Sequence, residues 1–265
     1  MVQLKKNGIT LKYVSKELQK DKEVVLVGVQ HDGWGLQYAS EKLQNDKEIV
    51  LVAAKQNGLS IRQSNKELKN DKDVLLTAVQ QNGHALQHAS DELKNDKEVV
   101  LVAVRRNGFA LHHASDELKN DKEVVLAAVQ QNGHALQHAS DELKNDREIV
   151  LEAFQENSYA LEHANDELKN NKEVVLAAVQ NYGQALKYAS DELKNNKEVV
   201  LAAVQQHCYS LEYASDTLKN QIGDEEPIIK LKELIQIEQE KIILENKINL
   251  QYNNKIKASI KIKKI

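Results

Sequence analysis

Cysteine is nearly missing from this chain. Cys208 stands alone, which excludes an intramolecular disulfide and suits a reducing, cytoplasmic setting. Proline occurs once, at Pro227, and glycine only ten times in 265 residues, so extended turns and sheet corners are scarce. Aromatic residues make up 4%, with one Trp and two Phe, too few for a thick core. No run reaches the ~18 apolar residues that a membrane-spanning helix needs. The opening MVQLKKNGITLKYVSKEL has no continuous apolar stretch and so shows no secretory signal. No HExxH, CxxC, GxGxxG, P-loop or GxSxG occurs, so no catalytic, metal or cofactor motif is visible and an enzyme is not expected.

The charge that is present is unevenly placed. The total is -4, yet residues 1–20 carry +4 and residues 246–265 carry +6, which leaves -14 for residues 21–245. An acidic body repels phosphate backbones, so nucleic acid is not an expected partner. Hydrophobic residues reach 41% and are patterned, which argues against disorder.

The pattern is a repeat. DELKNDKEVVLAAVQQNGHALQHAS recurs every 25 residues, and Leu18, Leu43, Leu68, Leu93, Leu118, Leu143, Leu168, Leu193 and Leu218 mark it without an insertion. Residues 1–20 read as the back part of a unit, residues 21–220 as eight full copies, and residues 221–265 as a C-terminal helix with a lysine-rich tail.

Each copy reads as two helices. In 96–120, Asp96 is an N-cap and Glu98 complements the dipole in the first turn. The pattern predicts a helix near 97–106, stopped at Asn107-Gly108 by a left-handed glycine. Ala110, Leu111, Ala114 and Leu118 lie at helical spacing and predict a second helix near 109–119, with Asn120 as a left-handed stop. Leu101 and Leu111 are expected in the core. The Ala103 column is small in every copy, which permits close helix approach. A hairpin of 25 residues cannot bury both apolar stripes by itself, so the expected architecture is all-α: an α/α solenoid of helix-turn-helix repeats with a C-terminal capping helix.

The phrase NDKEVVLAAVQQNGHALQHASDELKND closely resembles the repeat called domain of unknown function 4116, over about residues 1–220. The resemblance implies a helical array and no assigned activity. The departures are Ser158 and Cys208 in place of the turn glycine, and Asn171, Asn196 and Gln221 in place of the capping Asp.

Two columns carry rings. One contains Trp34, His84, Phe109, His134 and Tyr159; the other contains Tyr38, His88, His113, His138 and His163. Read on α-helices, positions four apart share a face, so these ten residues form one stripe, a candidate partner-binding surface for a protein or peptide. His84/His88 and His134/His138 also have the spacing of a Zn²⁺ or Cu²⁺ chelate. His interchanges there with Tyr, Phe and Trp, which share its flatness but not its metal affinity, so packed or stacked rings are the better reading. Cys208 beside His207 reads as a drifted turn residue before a thiol–imidazole pair. Gln87, Gln137, Lys94 and Lys119 read as solvated faces.

After Asn220 the register stops. Pro227 starts a helix expected to run to about Leu250, with its Ile and Leu face on the last repeat; a coiled-coil dimer is the alternative, weakened by Lys241 and Gln251 at core positions. The functional expectation is a non-catalytic scaffold or protein-binding module. The alternatives are a structural spacer or, less favoured, a His-mediated metal array. Oligomeric state is not legible.

Overall fold

The computed structural model describes residues 11–156, 158–223 and 226–262, with side chains described for 11–154, 160–223 and 226–247. The half-repeat at residues 1–20 has no capping Asp before it, so residues 1–7 are expected to be frayed or to form a shortened helix; they lie outside the described residues. All regular structure among the described residues is helical. The chain falls into two compact units, Met1–Leu168 and Lys169–Ile265. Within each unit, successive copies of the repeat stack on one another, so the fold is an all-α solenoid with a C-terminal helix.

The repeat 96–120 shows how the elements form. Asp96 adopts an extended backbone, and its carboxylate accepts from the Val99 N–H at 3.2 Å. This releases a long helix, Lys97–Arg106, whose stripe Val99, Val100, Ala103 and Val104 is buried. Leu101 is only half-buried, not in the core as expected. The reason is that two adjacent turns of one face fill the contact with neighbouring repeats, and positions 101 and 102 lie at its edge.

The long helix does not end on a left-handed glycine. Asn107 is extended (φ -155°, ψ 111°), and its side chain accepts from the Phe109 N–H at 3.0 Å. Asn107 is thus the N-cap of the next element. Among the described residues, only Gly223 has a positive φ. Gly33, Gly58, Gly83, Gly108 and Gly183 serve close approach instead: a Cβ on Gly83 would lie 2.4 Å from the Ala103 carbonyl oxygen of the following repeat.

The second helix is also not continuous. Gly108–His113 forms a 3-10 helix, Ala114 is extended (φ -68°, ψ 161°), and a four-residue helix, Asp116–Lys119, follows. Ser115 causes the break: it is extended, and its hydroxyl accepts from the Leu118 N–H at 3.2 Å. Even so, Ala110, Leu111, Ala114 and Leu118 are all buried, as the spacing demanded. Asn120 is not left-handed (φ -104°, ψ 8°).

Polar ladders join the copies. Asp121 caps its own helix with one carboxylate oxygen and takes the Lys97 ammonium of the preceding repeat on the other, at 2.8 Å; Lys97 also reaches Glu123 at 2.9 Å. The same step recurs as Lys22–Asp46, Lys47–Asp71, Lys72–Asp96 and Lys122–Asp146. A second ladder links the short helices, where the Ser115 hydroxyl donates to Asn95 Oδ1 at 2.6 Å and the Ser115 N–H donates to the Lys94 carbonyl at 3.0 Å. In the second unit, Ser190–Asn170 and Ser215–Asn195 repeat it at 2.5 Å.

The C-terminal helix, Pro227–Ile262, is longer than expected. Leu231 is fully buried and Ile228, Leu234 and Ile235 half-buried, as the helix packs on Lys197–Gln206 of the last repeat. Glu238 takes the Lys197 ammonium at 2.8 Å, in the place where another repeat would offer its acids. The apolar face is only partly used, because Ile237, Ile242, Ile243 and Leu244 are exposed. The side chains of the lysine-rich tail lie outside the described residues.

Candidate functional site

The rings sit on 3-10 helices, and that changes which of them meet. A 3-10 turn has three residues, so positions four apart do not share an edge as they would on an α-helix. Contact runs between repeats instead. His84 meets His113 with ring centroids 6.3 Å apart, Phe109 meets His138 at 6.0 Å and His134 meets His163 at 6.0 Å, all edge to face. Trp34, Tyr38, His84, His88, Phe109, His113, His134, His138 and His163 are each half-buried. The Tyr159 side chain lies outside the described residues. Six of the ten stripe residues, His84, Phe109, His113, His134, His138 and His163, therefore pack ring against ring across successive repeats while keeping part of each ring in solvent.

Two members escaped the sequence reading. His112 lies 4.9 Å from His113 and 4.7 Å from His138, bridging two repeats. Its column reads Lys12, Gln37, Arg62, Gln87, His112, Gln137, Glu162, Lys187 and Glu212, and a lone ring among amides and charges was the available signal. Arg62 of that column lies over the Trp34 ring at 5.1 Å.

Burial, and then the neighbouring His112, His84 and Lys94, push the His113 imidazole down to about 4. Burial followed by His112, Lys119 and His163 does the same to His138, also to about 4. His88 is lowered by burial and by the charges of Lys69, Arg62 and Lys94. At neutral pH, His113 and His138 are therefore neutral rings with one donor and one acceptor nitrogen. The metal reading placed His84 with His88 and His134 with His138, whereas the ring contacts run across repeats; no group of three or more His, Cys, Asp or Glu among the described residues is placed to hold a metal ion.

Lys94 and Lys119 are half-buried rather than solvated, and each pairs with the Asp three residues before it. Gln87 and Gln137 are exposed, as expected. Cys208 is exposed, and the ring of His207 packs on Tyr209 at 5.5 Å. Elsewhere in the first unit, Arg105, Lys122, Glu123, Leu126, Ala127, Gln130 and Gln131 line an open groove of about 720 Å³ between successive long helices. No helix among the described residues is long and apolar enough to cross a membrane.

The chain matches no curated protein and no solved structure. One family model matches it six times, over residues 4–34, 21–69, 71–119, 96–143, 121–169 and 171–219, and each match falls on the stacked repeats just described. The chain belongs to the family described as domain of unknown function DUF4116.

Proposed function

We infer that this protein is a non-catalytic binding scaffold whose ring row receives a protein or peptide segment. The observation that supports this is the half-buried state of nine rings of the first unit, six of them packed on one another across repeats. Flat rings held by their neighbours offer contact area at little further entropic cost. Nucleic acid is a poor partner for a body of net charge -14, and the single exposed Cys208 suits a reducing, cytoplasmic compartment.

The test is the double variant His113→Gln/His138→Gln. Gln63 already occupies the same column, so the array accepts this side chain. Peptides selected by display on the intact chain should bind the variant about tenfold more weakly, a loss in the range of central interface residues. Unchanged affinity for every selected peptide counts against the ring row.

A second reading, a spacer whose length matters more than its surface, draws support from the Lys–Asp and Ser–Asn ladders, which fix the register of each copy on the next. A spacer would tolerate the double variant and fail when one repeat is removed.

A further inference from the structure

Repeat 46–70 departs from the others in charge. It holds Lys47, Lys55, Arg62, Lys66 and Lys69 against Asp46, Glu48 and Glu67, and it is the one net-positive copy among the eight. In later copies the residue after the capping Ser is an Asp that pairs with the Lys three residues on, as in Asp91–Lys94 at 3.8 Å, Asp116–Lys119 at 3.3 Å and Asp141–Lys144 at 3.5 Å. In the short helix Lys66–Lys69, a lysine stands where that Asp would be.

The consequence is an unneutralised cation. Lys69 is half-buried, and its ammonium has no acidic partner among the described residues; burial holds its pKa below the ordinary lysine value. Lys66, Lys69, His88, Ala89, Ser90 and Asp91 line an open groove of about 430 Å³. One carboxylate, Asp91, lines it too, but that side chain is fully exposed and engaged with Lys94. Ser90 is occupied by Asn70 of the preceding repeat. A half-buried positive charge without an acidic partner favours an anion that brings one.

We propose that this groove binds a carboxylate side chain of an acidic peptide segment, with Lys66 and Lys69 as ammonium donors and the His88 ring as a shelf beside them. This rests on the reading of the ring row as a peptide surface. A carboxylate fits better than a polyphosphate strand, because the local cation excess is confined to one repeat of an otherwise acidic body.

The test follows the His88 ring protons by NMR while hexaglutamate is titrated into the full chain at low salt. A saturable shift is expected, together with a rise of the His88 titration midpoint, since a bound anion offsets the charges that depress it. Lys66→Asp restores the acid that neighbouring repeats carry, so the helical circular dichroism should stay unchanged while hexaglutamate binding weakens about tenfold or more. Equal shifts with hexaglutamine would overturn the proposal, as would no shift with any probe. A response to inorganic phosphate without one to hexaglutamate would assign the groove to a small free anion and overturn the peptide assignment. Unchanged binding in Lys66→Asp with loss in His113→Gln/His138→Gln sinks the groove and leaves the ring row standing.

Discussion

Two copies of one sequence pattern live in different surroundings. In 96–120 the 3-10 helix is covered by the next copy: Leu111 is fully buried and Phe109 half-buried. In 196–220 the long helix Lys197–Gln206 is covered by the C-terminal helix, while Cys208–Tyr213 is much less covered. Tyr209 is 71% exposed, Cys208 is exposed, and Leu211 is only half-buried. The C-terminal helix stands in for half of a repeat, the long helix with its acid at Glu238, and leaves the other half without a substitute. The glycine column registers the difference. At Gly33, Gly58, Gly83, Gly108 and Gly183 a Cβ would strike the next copy's carbonyl, and at the exposed Cys208 a side chain is carried without conflict. The repeat pattern therefore records neighbours as much as local conformation.

The largest expected effect that separates the two copies comes from truncating matched leucines. Leu111→Ala removes a fully buried side chain and should cost ~2–5 kcal/mol through lost transfer energy and a cavity. Leu211→Ala, at the half-covered end, should cost about half of that. Urea melts of the two variants measure the difference, and equal losses would mean that the end is as well packed as the interior.

A smaller effect belongs to the glycine column. Gly83→Ala puts a methyl group 2.4 Å from a backbone carbonyl that cannot turn aside, and the expected cost is about 1–3 kcal/mol, as for overpacking. Cys208→Gly should change thermal stability by no more than ~0.5 kcal/mol, the range of an exposed site. A Gly83→Ala protein that melts unchanged would refute close approach as the reason for glycine there.

The legible part of this fold was whatever a single copy specifies. Asp96 as a cap, the buried Val99 and Val100, and the buried stripe Ala110, Leu111, Ala114 and Leu118 follow from local chemistry and spacing. Two local signals were legible but point another way. Asn107 is an N-cap that looks forward, not a stop that looks back, and Ser115 starts a new turn inside what the spacing presents as one helix. Apolar periodicity reports which residues are buried and is silent on whether the backbone between them stays helical. The ring partners were not legible, because His84 meets His113 only once a 3-10 turn has redirected both. Lys66 in the Asp column was visible from the outset, yet its meaning depended on the Asp91–Lys94 pairing seen only in the folded chain.

The smallest expected effect is on the pH dependence of stability, and it sharpens the comparison. His113 and His138 are driven down to about 4 chiefly by burial between copies. In the unfolded chain they titrate near the ordinary histidine value of about 6.5. Between these values the unfolded state binds more protons than the folded state, so stability falls as pH drops from about 6.5 to about 4 and this contribution levels off below. The lowered carboxylates of the ladder act at a lower pH: Asp46, held down chiefly by its bond to Lys22, contributes above the ordinary Asp range, and that contribution is lost as pH falls through its folded value. Urea midpoints measured across the histidine window should therefore decline in the native chain and decline less in His113→Gln/His138→Gln. Tyr209→His supplies the control, because a histidine at the largely uncovered end is not desolvated and should leave the slope as it was. If that variant steepens the decline as much as an interior histidine does, burial between copies is not what sets the imidazoles apart.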